Sequence, residues 1–323
     1  MRRREFIGAL GVAAAWPLAA GALPKTTRIG WLTTASAADV SPFLEALRAG
    51  LADKGYIEGR NLTIAARYAD GDIDRVPSLA EELSKLPVDV ITTQGAATRL
   101  LQKVSTVVPV VYVFSADPVL AGIADTLARP GRNMTGISVM AIELNGKRIE
   151  LLREIMPKIE RIAILASPTH AGEELERNNS VEMAQQLGIK VQYFPTPNPA
   201  ELRRAYDSMA ADPPQAIVVF PDPVTFSNRG QIVAFGSSQR IPVVSGWADY
   251  ADAGALCTYG PKLAESYKRL AYYVDRILNG EKPAELPVER PTVFELIINL
   301  KTAKALGIDV PPTLLGRADR VIE

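Results

Sequence analysis

The sequence predicts an α/β protein built as two doubly wound parallel-sheet lobes joined by three crossing segments. Short, almost uninterrupted apolar runs such as Ile162–Leu165 and Ala216–Phe220 suit strands buried on both faces of a parallel sheet. Amphipathic stretches of helical spacing separate them, so strand, crossover helix and strand alternate along the chain. Three Gly- or Pro-bearing stretches interrupt the series, at 130–138, 254–260 and 282–291, and each is read as a crossing between lobes.

Taken in order, the first strand is expected at Arg28–Leu32. Phe43, Leu44, Leu47 and Leu51 then recur at three- and four-residue spacing up to Gly55, which marks one helix and its end. Strands follow at Leu62–Tyr68, Asp89–Thr93 and Val108–Phe114, with a helix through Leu79 and Leu83 that stops before Pro87. After the first break a new series begins. Strands are expected at Arg161–Ala166, Lys190–Phe194, Ala216–Phe220 and Ile241–Ser245, with helices at Leu144–Ile155, Glu173–Leu187 and Ala200–Met209. Gly254–Gly260 reads as a further strand, followed by a long helix at Lys262–Leu278. One lobe is thus expected at 28–137 with 258–287, the other at 138–257 with 288–323.

Residues 1–22 read as a secretion signal. Arg2, Arg3 and Arg4 precede an apolar run from Ala9 to Ala20, and small residues close it, with cleavage expected near Ala22. The run is shorter than the roughly 20 apolar residues of a membrane span. Its Arg-Arg-Glu-Phe-Ile start is twin-arginine-like. An exported, periplasmic protein is expected. No Cys stands near residue 22, so no lipid anchor is expected there. The single Cys257 permits no intrachain disulfide.

The formal charge is zero overall, and without the leader's three Arg and one Glu the chain carries about −2. No basic patch stands out, so neither nucleic acid nor a membrane surface is expected as a partner. His170 is the single histidine, which leaves little for a metal centre or a Ser-His mechanism. There is no G-x-S-x-G elbow, no P-loop and no dinucleotide glycine fingerprint. A binding protein without metal or cofactor is expected rather than an enzyme.

Ligands of open parallel sheets sit beyond the carboxyl ends of the strands, where helix N-termini present their N–H groups. In the first lobe this selects Thr33, Thr34 and Ser36, then Gln94, Gly95 and Ala96, then Ser115 and Asp117. In the second it selects Thr169 and His170, Asp222, and Trp247 with Tyr250. Small hydroxyls and exposed amides suit a carboxylate or amide, the aspartates suit an ammonium group, and Trp247 and Tyr250 suit an aromatic wall. The same Ser and Asp residues also suit helix N-caps, Trp247 also suits core packing, and Glu173, Glu174 and Glu176 read as a solvated helix face.

Four longer segments carry a family likeness: Asp117-Pro118 with Leu127–Ser138, Gly146–Pro157, Phe220–Arg229 and Val288–Glu323. Through them the mature chain resembles the bacterial ABC transporter substrate-binding proteins that include tryptophan- and tyrosine-binding members. The resemblance implies a type I periplasmic-binding fold closing like a flytrap on a small organic ligand, an amino acid or aromatic carboxylate. It also implies an inner-membrane ABC permease as partner and a monomeric receptor. By position, Thr33–Ser36, Gly95–Ala97, Ser115 and Asp117 match the cleft face of one lobe, and Thr169, Asp222 and Trp247 that of the other. Many relatives carry Asn-Pro where this chain has Ser167-Pro168-Thr169-His170, and an arginine-bearing loop where it has Ser245-Gly246-Trp247-Ala248. A receptor serving a membrane sensor and an α/β hydrolase or lyase are the competing readings.

Overall fold

The computed structural model describes residues 26–104, 107–139, 142–168, 170 and 172–323. The leader and Thr169 therefore lie outside the described residues.

The first lobe runs β1 (Thr27–Thr33), α1 (Ala37–Asp53), β2 (Leu62–Tyr68), α2 (Val76–Lys85), β3 (Val90–Gln94), α3 (Ala96–Lys103), β4 (Val110–Phe114) and β5 (Met134–Ser138). Its five strands lie in the order β2-β1-β3-β4-β5, all parallel. The second lobe runs α4 (Ile142–Ile155), β6 (Arg161–Ala166), α5 (Glu173–Gln186), β7 (Lys190–Pro195), α6 (Pro199–Ala211), β8 (Ala216–Val219), α7 (Pro223–Ser227), α8 (Arg229–Gln239), β9 (Val243–Ser245), α9 (Ala248–Asp252) and β10 (Cys257–Pro261). The chain then returns to the first lobe as α10 (Leu263–Leu278). It ends in the second with β11 (Phe294–Asn299), α11 (Leu300–Leu306), α12 (Pro312–Leu315) and β12 (Arg320–Ile322). The second sheet has the order β12-β11-β10-β9-β8-β6-β7, parallel except for the β10–β11 pair.

Both sheets are covered on both faces, as their continuous apolar strands demand. In the first lobe, Leu79 and Leu83 of α2 and Leu101 of α3 pack on one face. Leu44, Leu47 and Leu51 of α1 and Leu270 and Val274 of α10 pack on the other. In the second lobe, Ile149 and Leu152 of α4 lie on one side, while Leu202 of α6, Ile232 of α8 and Tyr250 of α9 fill the other. Gly50 lets α1 and α10 meet closely, because a Cβ there would collide with the Lys268 carbonyl.

The lobe boundaries differ from the sequence reading in detail. Residues 258–261 pair with β9 and β11 and belong to the second sheet, so the second crossing falls between Pro261 and α10. Residues near 288 still run with the first sheet: the Glu289 N–H donates to the Gly136 carbonyl at 3.0 Å, and the Ser138 N–H donates to the Glu289 carbonyl at 2.9 Å. The third crossing is thus at 290–293. β5, β11 and β12 went unread because Met134–Ser138 carries two polar residues and a glycine, and the other two sit beside turns and short helices.

Candidate functional site

The carboxyl ends of the strands of both lobes face one another across a cleft, and the two sides touch. The Ser115 hydroxyl at the end of β4 lies 3.1 Å from Nε2 of His170, in the loop after β6. Asp39 of α1 stands 3.5 Å from the Arg229 guanidinium of α8, and that guanidinium lies 4.4 Å over the Phe226 ring. Phe226 in turn faces Phe43 of α1 at 6.4 Å between centroids and Trp247 at 5.2 Å. Phe43 stacks on Tyr267 of α10 at 4.5 Å. An aromatic row therefore crosses from the first lobe to the second.

In the first lobe, Thr33 and Gln94 are buried at the floor. The Gln94 amide donates to the Thr33 hydroxyl at 2.9 Å, and the Tyr267 hydroxyl donates to the Gln94 carbonyl oxygen. Their polar groups are consumed by one another, so they brace β1, β3 and α10. Thr34 is half-buried, with its carbonyl accepting from the Gly71 N–H at 2.7 Å. Ser36 caps α1, accepting from the Asp39 N–H at 3.3 Å. Gly95 takes φ +56° to turn β3 into α3, and no side chain caps that helix. Asp117 accepts from the N–H groups of Val119 at 2.8 Å and Leu120 at 2.9 Å, which spends one of its oxygens on its own turn.

In the second lobe the centre is Asp222, only 1% exposed. Oδ1 accepts from the N–H groups of Val224 at 2.7 Å and Thr225 at 3.1 Å. Oδ2 is buried and has no hydrogen-bond partner among the described residues. Burial pushes its carboxyl above the usual aspartate range, against the pull of His170 and of the capping bonds. His170 sits beside it. Burial disfavours the imidazolium, yet the carboxylates of Glu176, Asp222 and Glu173 outweigh burial and hold its pKa above the ordinary value. Nδ1 is 3.7 Å from Glu176.

Glu173 and Glu176 correct the sequence reading: they are 5% and 7% exposed, not a solvated face. The first turn of α5 points them inward, where Glu173 meets Arg177 at 3.3 Å and the Tyr193 hydroxyl. Burial raises the Glu173 carboxyl. Tyr250 is fully buried in the core and forms no exposed wall, whereas Trp247 is half-buried against Phe226. Arg148, unnoticed in the sequence, is buried; burial draws its pKa down to about 10. Its Nε donates to the Tyr259 carbonyl at 2.8 Å, and its guanidinium packs against Gly246, fixing the loop before Trp247. Among the described residues, no group of three or more His, Cys, Asp and Glu is arranged to hold a metal. No helix among them is long and apolar enough to cross a membrane.

Known proteins resemble this chain in sequence and in fold. A tyrosine-binding protein of Clostridioides difficile (strain R20291) is 24% identical over 264 residues, covering 80% of this chain and 74% of the relative. The crystal structure of an ABC domain in complex with L-Trp from Streptococcus pneumonia superposes with a TM-score of 0.85 at 24% identity, over 92% of this chain and 100% of that one. A ligand-free, open substrate-binding protein with adhesive properties from Clostridium difficile gives 0.68 at 22% identity, over 92% and 99%. Residues 39–322 match the family described as ABC transporter substrate binding protein, and that family is one of binding proteins, not enzymes. The chain belongs to the ABC transporter substrate-binding proteins, with two parallel-sheet α/β lobes of the type I periplasmic-binding fold.

Proposed function

We propose that this protein is an exported receptor that closes its two lobes on a small ligand bearing an ammonium and a carboxylate group, an amino acid foremost, and delivers it to an ABC permease. The observation that carries this reading is the unpartnered Oδ2 of Asp222. A buried polar atom left unsatisfied costs on the order of 1–3 kcal/mol, more when charged. A ligand ammonium supplies the missing donor and returns the carboxyl to its ionised form.

The first lobe offers the complementary chemistry. The uncapped N-terminus of α3 and the hydroxyls of Thr34 and Ser115 suit the ligand's carboxylate. Phe43, Phe226 and Trp247 provide an aromatic border. This fits the tyrosine- and tryptophan-binding relatives, and the chain resembles the L-Trp complex more closely than the open structure. Ligand contacting both lobes favours the closed arrangement over the open one, and the permease reads the closed surface. A periplasmic monomer, cleaved near Ala22, completes the reading.

Thermal denaturation of the mature chain with a panel of L-amino acids and aromatic carboxylates tests it. A true ligand at one hundred times its Kd stabilises by about 2.7 kcal/mol. A panel in which no member raises Tm removes the ligand class.

A further inference from the structure

Three carboxylates are buried together in the second lobe beside the cleft. Asp222 follows β8, and Glu173 and Glu176 stand in the first turn of α5. Among the described residues, two arginines face them. Arg177 of α5 meets Glu173 at 3.3 Å, and its guanidinium lies 4.9 Å over the Tyr193 ring of β7. Arg148 of α4 is buried with the Glu176 carboxylate supporting its charge. A buried charge without a counter-charge is expensive, so the set is one cation short.

Without ligand, a protonated His170 is that third cation. Its Nδ1 lies 3.7 Å from Glu176, and Asp222 and Glu173 also act on the ring. From the first lobe the Ser115 hydroxyl reaches Nε2 at 3.1 Å. Asp117, two residues on, turns its Oδ1 to the Val119 and Leu120 N–H groups. Tyr193 adds a hydroxyl on the Glu173 side. An ammonium group at Oδ2 of Asp222 would compete with the imidazolium for the same carboxylates.

We propose that His170 exchanges its proton for the ligand: an ammonium group settling on Asp222 takes over the charge of the imidazolium, and one proton leaves Nε2 for solvent. The exchange rests on the reading of Asp222 as an ammonium site. Charge balances at both ends. Three carboxylates face two guanidiniums and an imidazolium before binding, and two guanidiniums and an ammonium after it. The bond between the lobes survives, because a neutral ring keeps its proton on Nδ1 toward Glu176 and accepts from the Ser115 hydroxyl at Nε2. The carboxylates hold the ring's pKa above the ordinary histidine value against burial. Ligand-free His170 is therefore mostly protonated at and below about pH 6.5. Over that range binding weakens as pH falls, by about tenfold per pH unit for one proton released.

Because His170 is the single histidine, its ring resonances can be followed by NMR in the mature chain from pH 5.5 to 8.5. Methylammonium chloride is the probe, against sodium chloride at equal ionic strength. The midpoint is expected above about 6.5 without the probe, and lower in Asp222→Asn. Methylammonium is expected to lower it in the wild type and to leave Asp222→Asn unmoved. A midpoint that methylammonium does not move, or moves equally in both proteins, would overturn the exchange. For an amino acid that binds, Kd from calorimetry is expected to weaken about tenfold between pH 6.5 and 5.5, and by less in His170→Gln. Equal pH dependence in the two proteins would also sink the exchange while leaving the amino-acid reading intact. Conversely, a chain that binds no amino acid but whose His170 still responds to methylammonium would keep the exchange and remove that reading.

Discussion

The Ser115 hydroxyl and Nε2 of His170 stand 3.1 Å apart, one from each lobe. Nδ1 of the same ring faces Glu176 at 3.7 Å. A protonated imidazole can donate to Ser115 from Nε2 while its charge faces the Glu176 carboxylate.

That geometry gives a pH dependence with a definite sign. The folded protein holds the His170 pKa above its ordinary value, net of burial, through Glu176, Asp222 and Glu173. A group with a raised folded pKa contributes stability that is fully present below its unfolded pKa, about 6.5 for histidine. The contribution fades as pH climbs through the raised folded value. Wild-type Tm should therefore fall relative to His170→Gln from about pH 6.5 upward. Melting curves of both proteins across pH 5 to 9, compared pairwise, check this; parallel profiles would contradict it.

Asp222→Asn should act in opposite directions on stability and on ligand. Asparagine can still cap α7, and it removes a buried carboxyl that burial already disfavours in its charged form, so Tm without ligand should hold or rise. Loss of a charge-assisted bond to an ammonium should cost about 1.5–3 kcal/mol of binding, roughly ten- to one-hundred-and-fifty-fold in Kd. Denaturation and calorimetry on the same preparation separate the two effects.

Much of this architecture was legible from sequence, and the reasons are local. Runs such as Ile162–Leu165 suit strands buried on both faces, and Leu44, Leu47 and Leu51 mark the buried stripe of α1. β5 is hard to read because Met134–Ser138 gains its burial from β4 and from the returning segment at Glu289, the latter about 150 positions away. The strand-end rule selected Asp222, Ser115 and His170, which the structure brings near one another. It could not tell that Gln94 and Thr33 satisfy each other or that Tyr250 is interior. Phe43, Arg148 and the inward turn of Glu173 and Glu176 depend on which way a helix rolls against its sheet, which spacing alone leaves open.

The hydrogen-bond chain under the first lobe should be costly to cut. Tyr267→Phe removes the donor to Gln94 and leaves a buried carbonyl oxygen unsatisfied. The expected loss is about 1–3 kcal/mol of folding stability. Urea unfolding of the ligand-free chain, with an unchanged m-value, is the check.

Arg229 and Asp39 span the cleft at 3.5 Å, with both side chains partly exposed. Asp39→Asn should weaken ligand binding by no more than about 1 kcal/mol and leave Tm of the ligand-free chain nearly unchanged. The difference from wild type should shrink at high salt. A salt-independent difference would place its effect elsewhere.

The central claim is that Asp222, buried and half-satisfied between the lobes, is where a ligand ammonium binds. Titration calorimetry of the mature chain with L-tyrosine and L-tryptophan, beside N-acetylated forms that lack the ammonium charge, tests this most directly. One-to-one binding of at least one free amino acid is expected, lost on N-acetylation and weakened about ten- to one-hundred-and-fifty-fold in Asp222→Asn. Equal binding of the acetylated compounds, or full affinity in Asp222→Asn, would contradict it.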